Sequence, residues 1–126
     1  MSVTIGILCC HYTNQAGEED FRLIPGTVIV KRYPCSGHIE VVDILKTFEE
    51  GAEAVLVAGC EKESCHNLSG SSRAEKKVLG ARKILEEIGL EGERVRFAFL
   101  PRLDTGPFMA EVKKTFETAL KMKSKS

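Results

Sequence analysis

The stretch from Ala54 to His66, AVLVAGCEKESCH, decides the fold of this chain. It opens with five apolar residues, 54–58, whose length and β-branched content favour a strand that is covered on both faces. Gly59 ends this apolar run, and Cys60 and Cys65 follow within one short loop. The stretch therefore predicts a buried strand that carries two thiols to its carboxyl end.

Three other apolar stretches predict further strands. Val3 to Leu8 (VTIGIL), Thr27 to Arg32 (TVIVKR) and Val95 to Leu100 (VRFAFL) are short and rich in branched or aromatic residues. Pro34 and Pro101 end the second and the fourth strand, because proline cannot donate to a sheet ladder. Together with the central stretch, they predict a four-stranded sheet.

Apolar residues at helical spacing predict the connecting helices. Gly51 and Gly89 follow two of these patterns as stop signals, and Pro107 suits the first turn of the last helix. A short, weak helix is also predicted over 16–22. The predicted buried stripes are Val41, Val42, Leu45 and Phe48 within 39–50; Val78, Ala81, Leu85 and Ile88 within 73–88; and Phe108, Val112, Phe116, Ala119 and Leu120 in the last helix.

Strands that alternate with helices predict βαβ units and a parallel sheet with helices on both faces. We therefore predict an α/β fold of the doubly wound, flavodoxin-like type, with four parallel strands and the first strand between the second and the third. Right-handed crossovers place the carboxyl ends of all parallel strands at one edge of the sheet. Ligands of open α/β sheets bind at that edge.

Length and charge narrow the class of protein. The 126 residues suit one domain, predicted over 1–120, followed by a basic disordered tail at 121–126. Lys+Arg and Asp+Glu are equal at 18 each, so charge indicates neither nucleic acid nor a membrane as a partner. We expect a cytoplasmic location, because the chain enters an apolar strand at once, without the leader of a secreted protein.

The chain has five cysteines, and each lies near the predicted carboxyl end of a strand. Stable disulfides are uncommon in a reducing cytoplasm, which favours a metal or redox role for the thiols. We expect all five at the ligand-binding edge, with none inside a strand or on a helix. They are Cys9 and Cys10 after the first strand, Cys35 after the second, and Cys60 and Cys65 after the third.

Four thiolates from three loops can bind an iron–sulfur cluster or zinc. Structural zinc is typically held by paired C-x2-C knuckles in a domain that lacks its own core, whereas Cys60-x4-Cys65 stands alone in a chain with an ample core. The residues alone therefore rank iron–sulfur above zinc, and both above five inert buried thiols. A further alternative is a thiol enzyme that pairs Cys60 or Cys65 with a loop histidine, namely His11, His38 or His66.

A set of short motifs is spread over nearly the whole chain. The motifs are Leu8–Tyr12 (LCCHY), Tyr33–Gly37 (YPCSG), Phe48–Ala52 (FEEGA), Val55–Cys60 (VLVAGC), Cys65–His66, Gly70, Arg73–Val78 (RAEKKV) and Gly89. Together they resemble the delta subunit family of methyl-viologen-reducing hydrogenase. Thr13 stands where that family usually has a further cysteine, and His38 stands where it has arginine.

The resemblance implies a [2Fe-2S] cluster at Cys10, Cys35, Cys60 and Cys65, with Cys9 as a neighbouring candidate ligand. It also implies that electrons pass between a hydrogenase or other dehydrogenase and the flavin-containing subunit of a heterodisulfide reductase. The chain would then be non-catalytic alone and act as the electron-transfer subunit of an oxidoreductase complex. The alternative is a cluster-free or zinc-binding adaptor of the same fold within such a complex.

Partner proteins are expected at the cysteine-bearing edge, since electrons must enter and leave through docked proteins over short distances. The expected contacts are polar residues in or beside the cysteine loops. They are His11, Tyr12, Asn14, His38, Glu61, Lys62, Glu63 and Asn67.

Overall fold

The computed structural model of the protein describes residues 3–10, 26–33, 39–60, 70–100 and 105–125. The helix predicted over 16–22 lies outside these ranges. A single turn of 3-10 helix, Gly92–Arg94, leads into the last strand. The strands and longer helices are, in chain order, β1 (Thr4–Cys10), β2 (Thr27–Tyr33), α1 (Val41–Glu49), β3 (Ala54–Cys60), α2 (Gly70–Glu87), β4 (Val95–Leu100) and α3 (Thr105–Lys125).

The four strands form one sheet in the order β2-β1-β3-β4, and every pair is parallel. β1 pairs with β2 along its whole length and with β3 along most of it. The prediction of a parallel sheet with the first strand between the second and the third is confirmed. With helices on both faces, the fold is of the α/β, flavodoxin-like type.

The two faces of the sheet are covered by different helices. On one face, which we call the α3 face, Val112 and Ala119 of α3 are buried in one cluster with Ile5 and Ile7 of β1. On the opposite face, the α1–α2 face, the two shorter helices cover the sheet. The buried residues of that face are Leu8, Ile39, Ile44, Ala52, Val55, Val57, Val78, Ala81, Leu85 and Val95.

Glycine ends two of the helices, as predicted. Gly51 and Gly89 have φ angles of 113° and 89°, a left-handed conformation that residues with a Cβ rarely adopt. At the end of α2 the Leu90 N–H donates to the Leu85 carbonyl at 2.8 Å, and the Gly89 N–H donates to the Glu86 carbonyl at 3.2 Å. This Schellman pair of hydrogen bonds satisfies carbonyls that the end of the helix leaves without helical partners.

Ile88 differs from its prediction as a buried residue of α2. Its side chain is 66% exposed, because α2 ends at Glu87 and the left-handed turn at Gly89 redirects the chain. The three other residues of the predicted stripe, Val78, Ala81 and Leu85, are buried as expected.

Val42 and Leu120 are also exposed, at 54% and 40%, although the sequence placed both in buried stripes. The buried side of α1 instead passes through Ile44 and Thr47. Thr47 tolerates burial because its hydroxyl donates to the Asp43 carbonyl at 2.8 Å. The helical period therefore identified the helix correctly, but packing on the sheet selected which neighbouring residues face inward.

The carboxyl-terminal residues differ from the expected disordered tail at 121–126. α3 continues through Lys125, and Met122 is fully buried. Met122 lies three residues after Ala119 on the same side of the helix, so its apolar side chain extends the buried stripe. Neither α3 nor any other helix in the described ranges is long and apolar enough to cross a membrane.

The amino edge of the sheet, where the strands begin, is fixed by hydrogen bonds. The Thr27 N–H donates to the Val3 carbonyl at 2.9 Å, and the Glu53 N–H donates to the Thr4 carbonyl at 2.8 Å. The Glu53 carboxylate accepts a hydrogen bond from the Thr4 N–H at 2.7 Å. Arg94 Nη1 donates to the Glu53 carbonyl at 3.3 Å. These bonds hold the starts of β1, β2 and β3 in register.

Candidate functional site

The carboxyl edge of the sheet brings two predicted ligand positions together. Cys10 ends β1 and Cys60 ends β3, and these strands are neighbours. In the β1–β3 register Cys9 is opposite Ala58, so Cys10 is level with Gly59. Cys60 therefore lies one residue further along its strand than Cys10. With strands ~4.8 Å apart and ~3.3 Å per residue, the Cα atoms of Cys10 and Cys60 are separated by about 6 Å. The backbone thus places two thiol-bearing residues side by side.

The expectation that no cysteine lies inside a strand is wrong. Cys9 and Cys10 belong to β1, and Cys60 belongs to β3. The strands are longer than predicted because parallel pairing continues to their ends, with Cys10 opposite Tyr33 and Cys60 opposite Leu100. These cysteine backbones are therefore held by the sheet rather than carried on a loop.

Cys9 lies in the apolar core. Its side chain is fully buried in the cluster of the α3 face, with Ile7 and Ala58 among the members of that cluster. A thiol in such surroundings packs as a small hydrophobic group.

Arg32 brings a positive charge to Cys9. The two residues are partners in the β1–β2 register, and Arg32 Nη1 lies 3.9 Å from Cys9 Sγ. Arg32 as a whole residue is exposed. Sequence reasoning missed this residue, because its relation to Cys9 depends on a pairing across 23 positions of the chain.

Tyr33 ends β2 opposite Cys10 and packs, partly buried, against the core of the α1–α2 face. Burial raises the pKa of the Tyr33 phenol, and the nearby carboxylates of Asp43 and Glu50 raise it further. The phenol is therefore held neutral at the edge of the sheet.

The helices also begin at the carboxyl edge of the sheet. Each helix follows a strand and returns antiparallel to the sheet, so α1, α2 and α3 begin on the side where the strands end. The amino end of a helix carries a partial positive charge. The helices therefore contribute partial positive charge to this edge, although the carboxylates of Glu40 and Asp43 already cap the amino end of α1.

The remaining predicted site residues lie outside the described ranges. Within those ranges, no group of three or more His, Cys, Asp or Glu side chains could hold a metal ion. Cys35 follows Tyr33 by two residues, and Cys65 follows Cys60 by five. Besides Cys35 and Cys65, the sequence-predicted residues outside the described ranges are His11, His38, His66, Thr13, Tyr12, Asn14, Glu61, Lys62, Glu63 and Asn67.

A cavity of about 400 Å³ lies at the start of β4 rather than at its carboxyl end. It is lined by Arg82 and Glu86 of α2, by the 3-10 turn, and by Arg96 and Phe97. Arg96 pairs with Glu111 at 3.1 Å. None of the cysteines in the described ranges lines this cavity.

The fold and the carboxyl edge together define a parallel α/β domain with cysteines at the ends of neighbouring strands. The chain belongs to the family described as methyl-viologen-reducing hydrogenase, delta subunit, whose model matches residues 5–123. The resemblance drawn from the short motifs is thereby confirmed.

Individual relatives support the same family. The vhu iron-sulfur subunit of the F420-non-reducing hydrogenase of Methanopyrus kandleri is 38% identical over 95 residues, which are 75% of this chain and 72% of the relative. The iron-sulfur subunit of the F420-non-reducing hydrogenase of Archaeoglobus profundus is 36% identical over 118 residues, which are 91% of this chain and 85% of the relative.

The match to a third relative covers only a small part of that protein. It is one of the subunits of the ferredoxin:CoB-CoM heterodisulfide reductase of Methanosarcina mazei, and it is 38% identical over 72 residues. Those residues are 57% of this chain but 9% of the relative. The similar segment is therefore a small part of a much longer polypeptide in that protein.

Proposed function

We propose that this chain holds a [2Fe-2S] cluster through Cys10, Cys35, Cys60 and Cys65 and acts as an electron-transfer subunit. Electrons would pass between a hydrogenase or other dehydrogenase and a flavin-containing subunit of heterodisulfide reductase type. The chain binds no substrate of its own in this role and works in the cytoplasm, where thiols are kept reduced.

The observation that carries the proposal is the juxtaposition of Cys10 and Cys60. They end neighbouring parallel strands one residue step apart, at the edge where open α/β sheets bind ligands. Thiolates are the usual ligands of iron–sulfur clusters, so cysteine at these two backbone positions supports the proposal. The sheet, rather than the cluster, positions these two backbones.

Chain length supports the other two ligands. Cys35 is two residues beyond Tyr33, which lies opposite Cys10, and two residues span at most about 7 Å. Cys65 is five residues beyond Cys60. Cys9 is disfavoured as a ligand because its side chain is enclosed in the core of the α3 face.

A bound [2Fe-2S] cluster supplies one-electron storage at this edge. The chain's own contribution is to hold the ligands, to provide helix amino ends that favour negative charge, and to present the edge to partners. The relative from Methanosarcina mazei supports a reductase partner, since a segment similar to this chain is part of a reductase polypeptide there. The relatives named as hydrogenase subunits support the second partner class.

Anaerobic purification tests the proposal through iron, acid-labile sulfide and the visible spectrum. We expect about two iron and two sulfide per chain, as the cluster composition requires, and a brown protein. Cys60→Ser should lose most of the iron while the apo protein keeps its fold, because Cys60 is the last residue of its strand.

The controls separate the proposal from its alternatives. Lys83→Gln, on the exposed surface of α2, should keep the parent iron content. Zinc without sulfide in the parent would support the adaptor instead, and a metal-free parent after anaerobic reconstitution would overturn the cluster. Unchanged iron in Cys60→Ser would remove Cys60 from the ligand set.

A further inference from the structure

The cavity between α2 and the start of β4 is large enough to hold a small organic molecule. Its volume of about 400 Å³ lies within the range of small-molecule sites in proteins, about 300 to 1,000 Å³. Phe97, which packs partly buried against the core of the α1–α2 face, adds an apolar side chain to the lining. The lining residues that the structure describes also include two arginines and two glutamates. The proposed function uses none of these residues.

One arginine and one glutamate of the lining are compensated by neighbouring side chains. Arg96 Nη2 lies 3.1 Å from Glu111 Oε2. Glu93 Oε1 lies 3.9 Å from Lys121 Nζ. The charges that remain in the lining are therefore those of the other arginine and the other glutamate.

Arg82 is the other arginine, and its guanidinium is held in place. Its Nε donates to the Val95 carbonyl at 2.7 Å, which ties the half-buried side chain to the first residue of β4. In the part of the chain that the structure describes, this bond is the only polar contact of the Arg82 side chain. Its terminal nitrogens therefore remain available to an acceptor. A guanidinium stays protonated, and its parallel N–H groups match the two oxygens of a carboxylate.

Glu86 lies one helical turn beyond Arg82 and lines the same cavity. A Cβ at Gly92 would lie 3.1 Å from Glu86 Oε1, so the carboxylate lies beside the 3-10 turn. Opposite charges four residues apart on a helix commonly pair, but Arg82 and Glu86 form no ion pair within the described ranges. The cavity thus has one positive and one negative group that do not neutralise each other.

We infer that this cavity binds a small zwitterion of the amino-acid class, whose carboxylate is bound by Arg82 and whose ammonium group is bound by Glu86. An amino acid carries its two charges on neighbouring carbon atoms, so it can bridge opposite charges that do not pair directly. A ligand with only a negative charge is repelled by Glu86, and a ligand with only a positive charge is repelled by Arg82. The apolar side chain of Phe97 favours an amino acid that is itself apolar.

The test is isothermal titration calorimetry of the full, anaerobically purified chain with L-leucine and two analogues that each lack one charged group. The analogue 4-methylpentanoate lacks the ammonium group, and 3-methylbutylamine lacks the carboxylate. We expect L-leucine to bind at least about tenfold more tightly than either analogue, since one hydrogen bond to a charged group contributes about this factor. The other standard amino acids are titrated in parallel to measure the preference for the side chain.

Substitutions of the two charged residues should change the affinities in different ways. Glu86→Gln should weaken L-leucine by about three- to tenfold but should not weaken 4-methylpentanoate, because the same change removes a repulsion from the carboxylate. Arg82→Gln should weaken both carboxylates by about tenfold and should not weaken 3-methylbutylamine. Glu87→Gln removes an exposed charge from the next residue of α2, outside the lining, and should leave every affinity at the parent value.

Two controls separate binding from changes in the protein itself. Thermal melting shows whether Arg82→Gln, which removes the bond to Val95, remains folded; if it does not, Glu86→Gln with the two analogues decides the question. A double-mutant cycle of Arg82→Gln and Glu86→Gln measures their coupling in the unfolding of the ligand-free protein. A clear coupling would show that the two residues pair with each other in solution, and it would overturn the inference.

The inference is also overturned if L-leucine binds no better than 4-methylpentanoate, or if no standard amino acid binds at about 10 mM. Iron analysis of the same sample keeps this result separate from the proposed function. A chain that contains the cluster but binds no amino acid overturns only this inference. A chain that binds an amino acid but holds no cluster overturns only the proposed function.

Discussion

The amino edge and the carboxyl edge of the sheet differ in their hydrogen bonds and in the residues that lie there. At the amino edge, hydrogen bonds link Thr4, Glu53, Thr27 and Arg94, and glycine turns end α1 and α2. At the carboxyl edge, the strands end in Cys10, Tyr33 and Cys60, and the helices begin.

Under the proposed function, the residues that stabilise the fold and the residues that bind the cluster lie at opposite edges of the sheet. The amino edge contains satisfied polar groups and turns whose geometry demands particular residues. The carboxyl edge has cysteines at the ends of two neighbouring strands, and the helices begin there. Substitutions at the amino edge should therefore change the free energy of unfolding, whereas substitutions at the carboxyl edge should change iron content.

The largest contrast is expected within one dipeptide, Cys9-Cys10. Cys10→Ala should lose most of the iron, because it removes a proposed ligand. Cys9→Ala should keep the iron and lower the free energy of unfolding by about 1 kcal/mol, because it leaves a small cavity in the α3 face. Iron analysis and urea unfolding of the apo proteins measure the two effects. Loss of iron from Cys9→Ala alone would reverse the assignment of the pair.

Gly26→Ala should destabilise the amino edge without changing the iron content of the protein. A Cβ at Gly26 would lie 2.5 Å from the Val3 carbonyl oxygen, a backbone atom that cannot rotate away. We expect a loss of about 2 kcal/mol in the free energy of unfolding.

Gly92→Ala is the matched control at the same edge. The three atoms nearest to its Cβ would all belong to the flexible side chain of Glu86, at 3.1 to 3.4 Å, so the stability should change by less than about 0.5 kcal/mol. Urea unfolding of the two variants checks the pair. Equal stability of both would show that the approach of Gly26 to Val3 is relaxed in solution.

Gly89→Ala should have a smaller effect at the end of α2. Its φ of 89° requires a left-handed residue, and alanine there costs about 1 kcal/mol. Gly80→Ala, inside the same helix, has room for the new methyl group, which lies 3.6 Å from Val41 Cγ2. We expect Gly80→Ala to raise stability by up to about 1 kcal/mol. Thermal melting compares the two variants. A change of melting temperature in the same direction for both would contradict this account of the two glycines.

The smallest effect is expected for the ion pair of Lys31 and Glu50. Both side chains are partly exposed, so a double-mutant cycle with Lys31→Met and Glu50→Gln should give a coupling of about 0.5 kcal/mol. The coupling should disappear at 1 M salt. A coupling that survives high salt would mean that the pair is more enclosed than its exposure indicates.

Predictions from the sequence succeeded where local patterns carry the information. The four strands, the place of β1 inside the sheet and the stops at Gly51 and Gly89 follow from alternation and from glycine. Predictions failed where packing chose between neighbours. Val42 and Ile88 are apolar and have helical spacing, yet α1 turns Ile44 inward and α2 ends before Ile88.

The sequence by itself determined the parallel fold and placed Cys10 and Cys60 at one edge, because βαβ connections leave few topologies open. Only the tertiary structure decided that Cys9 belongs to the core of the α3 face and that Arg32 lies against it. These relations depend on the register between β1 and β2 and on the face that α3 covers. Both are set by contacts between residues far apart in the chain, which local patterns do not encode.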